Sequence, residues 1–207
     1  MTEDFAAAFA ALGSATLGES GGRPMAHRIR PAWVGARVCG PAYPIACSPG
    51  DNLAVHAGVV EAPPGSVLVV SVGLEPARGY WGEVLTTAAQ TRGIAGLVID
   101  GGVRDVDALE RHGFPVFSAM IALRGATKIL PGHIGDTALV GDVEVATGDY
   151  IVGDVDGVTA IHATHLADVL AAGRAREAKE REMFEALRAG KTTVELLGLD
   201  TSPIRKR

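Results

Sequence analysis

The stretch GLVIDGGVRD, residues Gly96–Asp105, decides which fold we expect for this chain. An apolar run leads into Asp100, two glycines follow, and Arg104 and Asp105 close the stretch. A near-continuous apolar run of this kind is typical of a strand that is covered on both faces of a parallel sheet. We therefore expect a buried strand ending at Asp100, then a turn that sets a guanidinium beside a carboxylate.

The residues on either side of this strand alternate between strand and helix patterns. SVLVVSV (66–72) is a second β-branched run, and FPVFS (114–118) is a third short strand. A helix is predicted from near Trp81 to Gly93, and VRDVDALERHG forms a shorter helix closed by Gly113. This rhythm is typical of right-handed parallel crossovers and predicts an α/β fold.

The chain before this parallel segment predicts three further elements. Residues 3–12 form an Ala-rich helix, and ARVCGPAYPIAC (36–47) is extended but interrupted by prolines, as at a sheet edge or a bend. Asp51 is a plausible N-cap for a helix that follows it. Three apolar residues share one face of that helix: Leu53, Ala57 and Val60.

The pattern becomes β-rich after Met120. Gly-Asp pairs between β-branched runs predict turns between short strands. These pairs stand at 135–136, 141–142, 148–149 and 153–154.

The last predicted element is a helix over about 166–189. The centre of this helix is so polar that the helix is either solvated or reaches another subunit.

Composition limits the class of protein. The 207 residues are 47% hydrophobic and carry a formal charge of -5, which suits one globular domain and argues against a nucleic-acid binder. The two cysteines are too few for a disulfide framework, so we expect a reducing cytoplasm. The acidic N-terminus is unlike a secretory signal, and no apolar run reaches the length of a membrane span.

Arg104 and Asp105 are the first candidates for chemistry. Ligands of parallel α/β sheets gather beyond the carboxyl ends of the strands, which is where this pair is expected. An arginine can bind a carboxylate or enolate oxygen through a two-pronged hydrogen bond, and an aspartate can hold a hard cation such as Mg²⁺. The alternative is purely structural: the pair begins a helix, with Asp105 as an acid in its first turn.

A second stretch, GYWGEVL (79–85), points to the same place. It follows the preceding strand and opens a helix, so two neighbouring strand-to-helix turns meet at one sheet edge. The backbone N–H groups from Gly82 through Glu83 and Val84 to Leu85 would face an anion there. Glu83 would bring a second carboxylate near Asp105.

Glu83, twenty residues and then Arg104-Asp105 resemble the acid-X20-Arg-Asp signature of the RraA-like family. The segments PGDNLAVH, YWGEVLTTAAQTRGIAGLVIDGGVRDVDAL, GFPVFS and GDYIVGDVDGV are also similar to this family, in the same order. The resemblance covers roughly residues 30–190. It implies a single-domain layered β/β/α fold, like the swivelling phosphohistidine domain, with a core over 30–165 and a C-terminal helix.

The resemblance also implies an activity, that of the class II pyruvate aldolases. These enzymes cleave 4-hydroxy-4-methyl-2-oxoglutarate and 4-carboxy-4-hydroxy-2-oxoadipate with a divalent metal, Mg²⁺ or Mn²⁺, and decarboxylate oxaloacetate as a side activity. Asp105 would anchor the metal, Arg104 would bind the pyruvyl oxygens and stabilise the enolate, and Glu83 would hold or tune a metal-bound water. No Schiff-base lysine is needed, and we expect none in the site.

The family's site lies between subunits of a homotrimer or homohexamer, and a neighbour's C-terminal helix supplies an acid. The resemblance makes Glu180, or else Glu177, the candidate for that acid; a solvated charged helix is the alternative. Some RraA-like proteins are instead regulators that bind and inhibit an RNase E-like endonuclease. They are expected to lack the acid that Glu83 supplies. An enzyme for a different oxo acid is a third possibility.

Three histidines and an acidic turn are weaker candidates. His162 and His165 could form a metal pair, but at a strand end they would point to opposite faces. His133 follows a Leu-Pro-Gly loop and could touch the distal end of a substrate. Asp154-Val-Asp-Gly157 resembles the start of a calcium loop but lacks the later ligands, so a turn is favoured.

Overall fold

A computed structural model of the chain describes residues 4–205. Within that range, the helices are α1 (Phe5–Gly18), α2 (Leu53–Glu61), α3 (Glu83–Thr91), α4 (Val106–Arg111), α5 (Leu166–Arg188) and α6 (Thr193–Leu197). The strands are β1 (Arg23–Pro24), β2 (Arg30–Pro31), β3 (Val38–Cys47), β4 (Val67–Ser71), β5 (Gly79–Trp81), β6 (Gly96–Val103), β7 (Val116–Ile121), β8 (Gly132–Ile134), β9 (Thr137–Val140), β10 (Val143–Ala146), β11 (Tyr150–Asp154) and β12 (Gly157–Ile161).

Ten of these strands form one mixed, curled sheet in the order β1-β12-β11-β3-β4-β6-β7-β2, with β5 added beside β6 and β8 beside β3. Strands β3, β4, β6 and β7 run parallel to one another, as the alternating pattern predicts. The other two strands, β9 and β10, form a separate antiparallel hairpin. The α/β class and the parallel crossovers are therefore confirmed.

The sheet is covered on both faces, which explains its uninterrupted apolar runs. In β4, Leu68 and Val70 pack with the helices α2, α3 and α4 in one cluster. Val67 and Val69 point the other way and pack with residues of the β9–β10 hairpin. The result is a layered arrangement of hairpin, sheet and helices, as the resemblance implies.

The N-terminal helix is longer than the predicted residues 3–12. It runs to Gly18 across a kink at Gly13, where φ is 80°, and residue 3 lies outside the described range. Its residues Phe9 and Leu17 pack against Leu170 of α5 in a third apolar cluster. The C-terminal helix, Leu166–Arg188, confirms the prediction of about 166–189.

The proline-containing strand β3 lies in the middle of the sheet, so its placement at a sheet edge was wrong. It pairs antiparallel with β11 up to Pro41 and parallel with β4 from Ala42 onward. A proline cannot donate to a ladder, and it is tolerated here at the point where the strand changes its partner. The strand thus joins the antiparallel and parallel halves of the fold.

The helix α2 presents its predicted apolar face to solvent. Leu53 is 42% exposed and Val60 is 51% exposed, whereas Val55 and Val59 are buried against the sheet. The N-cap residue is Asn52 and not the predicted Asp51. Asp51 precedes the N-cap residue, and its side chain accepts the Leu53 N–H at 2.8 Å. The buried stripe is therefore rotated from the one that the spacing suggested.

The Gly-Asp pairs are turns at three of the four predicted places. Gly135, Gly141 and Gly148 all have positive φ and lie outside the strands. The fourth pair, Gly153-Asp154, ends β11, and the turn lies just beyond it. Asp154 is buried and accepts the Ser14 hydroxyl at 2.6 Å, so it fastens α1 to the sheet.

None of the helices within residues 4–205 combines the length and the apolar character that crossing a membrane requires.

Candidate active site

Arg104 and Asp105 come directly after β6, as predicted, but the strand is longer than expected. It continues through both glycines to Val103, and its register with β7 shifts between Ile99 and Gly102. A Cβ at Gly102 would come within 2.6 Å of the Ala122 Cβ, so glycine is required there by close packing rather than by a turn.

Asp105 has a backbone conformation that aspartate seldom adopts. Its φ is 58° and its ψ is 36°, and within residues 4–205 only Asp142 is another non-glycine residue with positive φ. Residues held in such conformations cost about 1–3 kcal/mol and cluster at functional sites. Asp105 occupies the N-cap position of α4, yet its side chain makes no capping bond, which weakens the purely structural interpretation.

The Asp105 carboxylate faces the turn before α3. Its Oδ2 accepts the backbone N–H of Glu83 at 3.0 Å and lies 3.8 Å from the Nε of Arg104. Its Oδ1 accepts no hydrogen bond from the described residues, and the side chain is 43% exposed. A Cβ at Gly82 would overlap Oδ2, so the absence of a side chain at Gly82 makes room for the carboxylate.

Glu83 meets Asp105 through its backbone, and its carboxylate is directed to a different group. Its Oε1 lies 3.2 Å from the Nε2 of His112, just after α4. The amide nitrogen of Gln90 donates to the His112 carbonyl at 2.9 Å, which fixes the histidine from the other side. We did not predict the pairing of Glu83 with His112. His112 directly follows α4, and the sequence there was used only to predict where that helix ends.

The start of α3 offers fewer free N–H groups than the sequence suggested. The Glu83 N–H is already bonded to Asp105. The N–H groups of Val84 and Leu85 belong to the first helical turn and have no acceptor within the described part of the chain. Helix N-termini bind anions through such groups, so these two remain available for a ligand.

A cavity of about 170 Å³ lies at the carboxyl edge of the parallel strands, and the predicted residue Glu83 is not in its lining. Arg104, Asp105, Val84 and Leu85 form part of its wall. The loop after β7 supplies Lys128, which contradicts our expectation of no lysine in the site. Ligand-binding residues are expected beyond the carboxyl end of every parallel strand, and Lys128 follows the parallel strand β7. The same reasoning that led to Arg104 and Asp105 would therefore have found Lys128.

The first turn of α2 contributes two more polar groups that were missed, Asn52 and His56. The Asn52 amide nitrogen donates to the Tyr80 carbonyl at 2.8 Å. The Asn52 Oδ1 and the His56 Nε2 are buried without a hydrogen-bond partner among residues 4–205. Burial, followed by the positive charge of Lys128, lowers the pKa of His56. A neutral ring and an amide oxygen are thus free to bond to a ligand.

The remaining candidates lie outside this cavity in the single chain. Glu180 pairs with Arg176 at 2.8 Å, and Glu177 lies 3.7 Å from Arg181, all on α5. His133 is in β8, opposite Ala46 of β3. None of these residues lines the cavity described above.

The two histidines after β12 do not point to opposite faces, so that prediction was wrong. Residues Ala163–His165 form a 3-10 turn, and this turn brings the rings of His162 and His165 to a centroid distance of 5.6 Å. A strand would have separated them, whereas one helical turn places residues three apart on the same side.

No group of three or more His, Cys, Asp or Glu side chains within residues 4–205 is arranged to hold a metal ion. Mg²⁺ needs no such group, because that ion is commonly bound by one or two carboxylates together with waters and substrate oxygens. The unbonded Oδ1 of Asp105 has the right chemistry for such a ligand.

The fold and the cavity define an α/β protein with a polar pocket at the carboxyl edge of its parallel strands. Within that class, the chain belongs to the RraA-like family, whose model, described as Aldolase/RraA, matches residues 9–160.

Individual relatives agree with this assignment. A protein of Halalkalibacterium halodurans, provisionally named as a 4-hydroxy-4-methyl-2-oxoglutarate aldolase, is 35% identical over 159 residues, or 77% of this chain and 76% of that protein. The crystal structure of an uncharacterized protein from Pseudomonas syringae pv. tomato has a TM-score of 0.82 at 26% identity and covers 93% of this chain and 92% of that one. The RNA-processing inhibitor RraA from Thermus thermophilis has a TM-score of 0.65 at 24% identity, covering 72% of this chain and 91% of that one, and so shares the fold.

Proposed function

We propose that this protein is a carbon–carbon lyase that cleaves a 4-hydroxy-2-oxo dicarboxylic or tricarboxylic acid to pyruvate and a second keto acid. One observation carries the proposal: Arg104, the strained Asp105 and the free N–H groups of α3 line the same cavity. The H. halodurans relative, with its provisional aldolase name, supports the same reaction class.

The charge of the cavity suits a substrate with more than one carboxylate. Arg104 and Lys128 are both in its wall, and the N–H groups of Val84 and Leu85 add two uncharged donors. A guanidinium can bind the carboxylate and the 2-oxo oxygen of the pyruvyl part as a fork. Lys128 would then neutralise the distal carboxylate as a point charge.

The cleavage can be written with this chain's own residues. The C4 hydroxyl loses its proton, the C3–C4 bond breaks, and its electron pair moves into the C2 carbonyl to leave an enolate. Arg104 donates hydrogen bonds to the oxygen on which that charge develops. We assign to Glu83 the role of orienting the water that takes the hydroxyl proton; its carboxylate contacts His112 next to the lining residues Gly82 and Val84 and would reach the substrate only through that water. The same water then gives the proton to C3 of the enolate, which completes pyruvate.

A divalent cation, Mg²⁺ or Mn²⁺, fits the free Oδ1 of Asp105 and belongs to the proposal. When bound, it would supply Lewis-acid stabilisation of the negative charge on the substrate oxygens. The other ligands would be waters, substrate oxygens and, in a homotrimer or homohexamer, an acid from a neighbouring subunit. Glu180 and Glu177 of α5 are the candidates for that acid, because the second half of this helix is largely exposed in the single chain.

The first test is release of pyruvate from 4-hydroxy-4-methyl-2-oxoglutarate and from oxaloacetate. We expect both compounds to yield pyruvate with Mg²⁺ or Mn²⁺, since loss of CO₂ from oxaloacetate leaves the same enolate. Treatment with EDTA should abolish release, and added metal should restore it. Absence of pyruvate from both, with the protein folded and metal present, would contradict the proposal.

Gly82→Ala is expected to lower kcat/KM for pyruvate release about a hundredfold, because a displaced catalytic group costs that much for a shift of about 1 Å. The added Cβ would overlap Oδ2 of Asp105. Gly125→Ala is the matched control in the same cavity, since its Cβ would lie 3.4 Å from Nη1 of Arg104, an ordinary contact. Wild-type activity in Gly82→Ala would show that the position of Asp105 does not matter.

Regulation of an RNA-degrading endonuclease is the second candidate function. The likeness to the T. thermophilis inhibitor favours it only at the level of the fold. Glu83, which regulators of this family are expected to lack, favours an enzyme. Tight binding of this protein to an RNase E-like endonuclease, without pyruvate formation from either oxo acid, would favour the regulator.

A further inference from the structure

The loop between β7 and β8 has little apolar packing to hold it in place. Leu123 is 83% exposed and Ile129 is 80% exposed, so neither anchors the loop by burial. Gly125, Ala126 and Lys128 of this loop nevertheless line the cavity. The first half of the loop is held by β5, because the Gly79 N–H donates to the Arg124 carbonyl at 2.7 Å, and Ala126 packs against the core. Another interaction must fix the part from Thr127 onward.

Asp51 supplies that interaction from outside the cavity. The side chain of this residue, just before α2, is almost completely buried, and the whole residue is 1% exposed. One oxygen, Oδ2, accepts the Thr127 hydroxyl at 2.8 Å, the Ile129 N–H at 2.7 Å and the Leu130 N–H at 3.1 Å. These three donors stand on both sides of Lys128 in the sequence.

The backbone reinforces the same contact. The Asn52 N–H donates to the Thr127 carbonyl at 2.9 Å, and the Thr127 N–H donates to the Gly50 carbonyl at 2.9 Å. Asn52 and Lys128 both line the cavity, so the segment around Asp51 joins two of its walls.

The charge of Asp51 makes this contact strong. Burial alone would raise the pKa of Asp51, but the hydrogen bonds from Ile129, Leu53, Thr127 and Leu130 outweigh it and lower the pKa to about 2. The carboxylate is therefore ionised throughout the neutral range, and hydrogen bonds to an ionised acceptor are about twice as strong as neutral ones.

We propose that Asp51 is a positioning residue that fixes the loop over residues 127–130 and thereby holds the Lys128 ammonium in the cavity. The anchoring itself follows from the contacts of Asp51. Its effect on catalysis rests on the proposed function, in which Lys128 binds the distal carboxylate of the substrate.

Limited trypsin digestion tests the anchoring without any substrate. Trypsin cleaves after Lys128, and the N–H of that peptide bond is the Ile129 group held by Asp51. Cleavage there, normalised to cleavage after the exposed Lys191, should be at least about tenfold faster in Asp51→Asn than in the wild type, because cleavage follows the population of the open loop. Asp154→Asn is the matched control: Asp154 is also buried and accepts three hydrogen bonds, but from α1 and its own turn.

An unchanged rate of cleavage after Lys128 in Asp51→Asn, or an equal increase in Asp154→Asn, would overturn the proposal. Should Asp51→Asn fail to fold, Thr127→Val replaces it, since this variant removes one donor and keeps the side-chain shape. A smaller increase, of roughly threefold, is expected for the loss of one such hydrogen bond. Its absence would overturn the proposal in the same way.

Kinetics test the consequence for substrate binding. Asp51→Asn should raise the KM for oxaloacetate about tenfold with little change in kcat, because Lys128 binds ground state and transition state alike. In a Lys128→Ala background the same substitution should have no further effect on KM, since the two residues act as one unit. An opened loop with unchanged KM would contradict the role of Lys128 in the proposed function, while supporting the anchoring.

Discussion

Asp105→Ala is expected to lower kcat/KM for pyruvate release roughly a thousandfold, because several kcal/mol of charge stabilisation depend on the metal that Asp105 would hold. The substitution removes the acceptor of the Glu83 N–H, but this hydrogen bond is exposed, so water can take the place of Oδ2. We expect the melting temperature to fall slightly, because the backbone φ of 58° remains and alanine adopts this left-handed conformation less readily than aspartate. Steady-state kinetics and the melting temperature together check both expectations.

The matched control for this experiment is Asp107→Asn. Asp107 is an exposed acid in the first turn of α4, two residues after Asp105, and it does not line the cavity. It carries the same charge on the same helix, so the variant changes the local electrostatic field similarly. Binding of Mn²⁺ should be lost in Asp105→Ala and retained in Asp107→Asn. Equal activity of Asp105→Ala and the wild type would remove the metal site from the proposal.

Arg104→Lys is expected to lower kcat by about a hundredfold or more, the cost of losing one donor to a developing oxyanion. Lysine keeps the positive charge but cannot make the two parallel hydrogen bonds of a guanidinium. Because those bonds strengthen as the enolate forms, kcat should fall more than KM rises. Steady-state kinetics with oxaloacetate separate the two parameters.

Arg111→Lys provides the control for the arginine. Arg111 is in the last turn of α4, outside the cavity, and its substitution tests the effect of an Arg-to-Lys change as such. Its kinetic parameters should match those of the wild type. A loss confined to KM in Arg104→Lys would mean that Arg104 only binds the substrate and does not stabilise the charge that develops.

The parallel half of the fold could be predicted because its strands are buried on both faces. Each of β4, β6 and β7 is therefore an apolar run that stands out from the amphipathic helices beside it. The same burial misled the interpretation of Gly101 and Gly102. Two glycines after an apolar run resemble a turn, whereas here they continue β6 where neighbouring side chains leave no room for a Cβ.

The limits of the prediction elsewhere have similar physical causes. Prolines in β3 suggested an edge strand, and only the tertiary pairing shows that the strand changes partner at Pro41. The stripe of Leu53 and Val60 has the right spacing for a buried face, but the sheet lies on the other side of α2. The spacing of apolar residues indicates that a helix has an apolar face. It does not show whether that face packs against the sheet or lies in solvent.

The residues of the candidate site also fall into those that the sequence could reveal and those that it could not. Arg104, Asp105 and Glu83 could be found because they follow recognisable strands and match a motif. Lys128 and Asn52 come to the cavity through a loop and a helix start that Asp51 ties together over 76–79 positions of sequence. Hydrogen bonds over such separations leave no local pattern in the sequence.

The most direct test of the proposed chemistry is exchange of the pyruvate methyl protons in D₂O, followed by proton NMR. Exchange needs only pyruvate and the enolate-forming site, so it does not depend on which oxo acid is the substrate. We predict loss of the methyl signal with the wild-type protein and Mg²⁺, and no loss with EDTA or with Asp105→Ala. A methyl signal that persists with folded, metal-supplied wild-type protein would contradict enolate formation at this site.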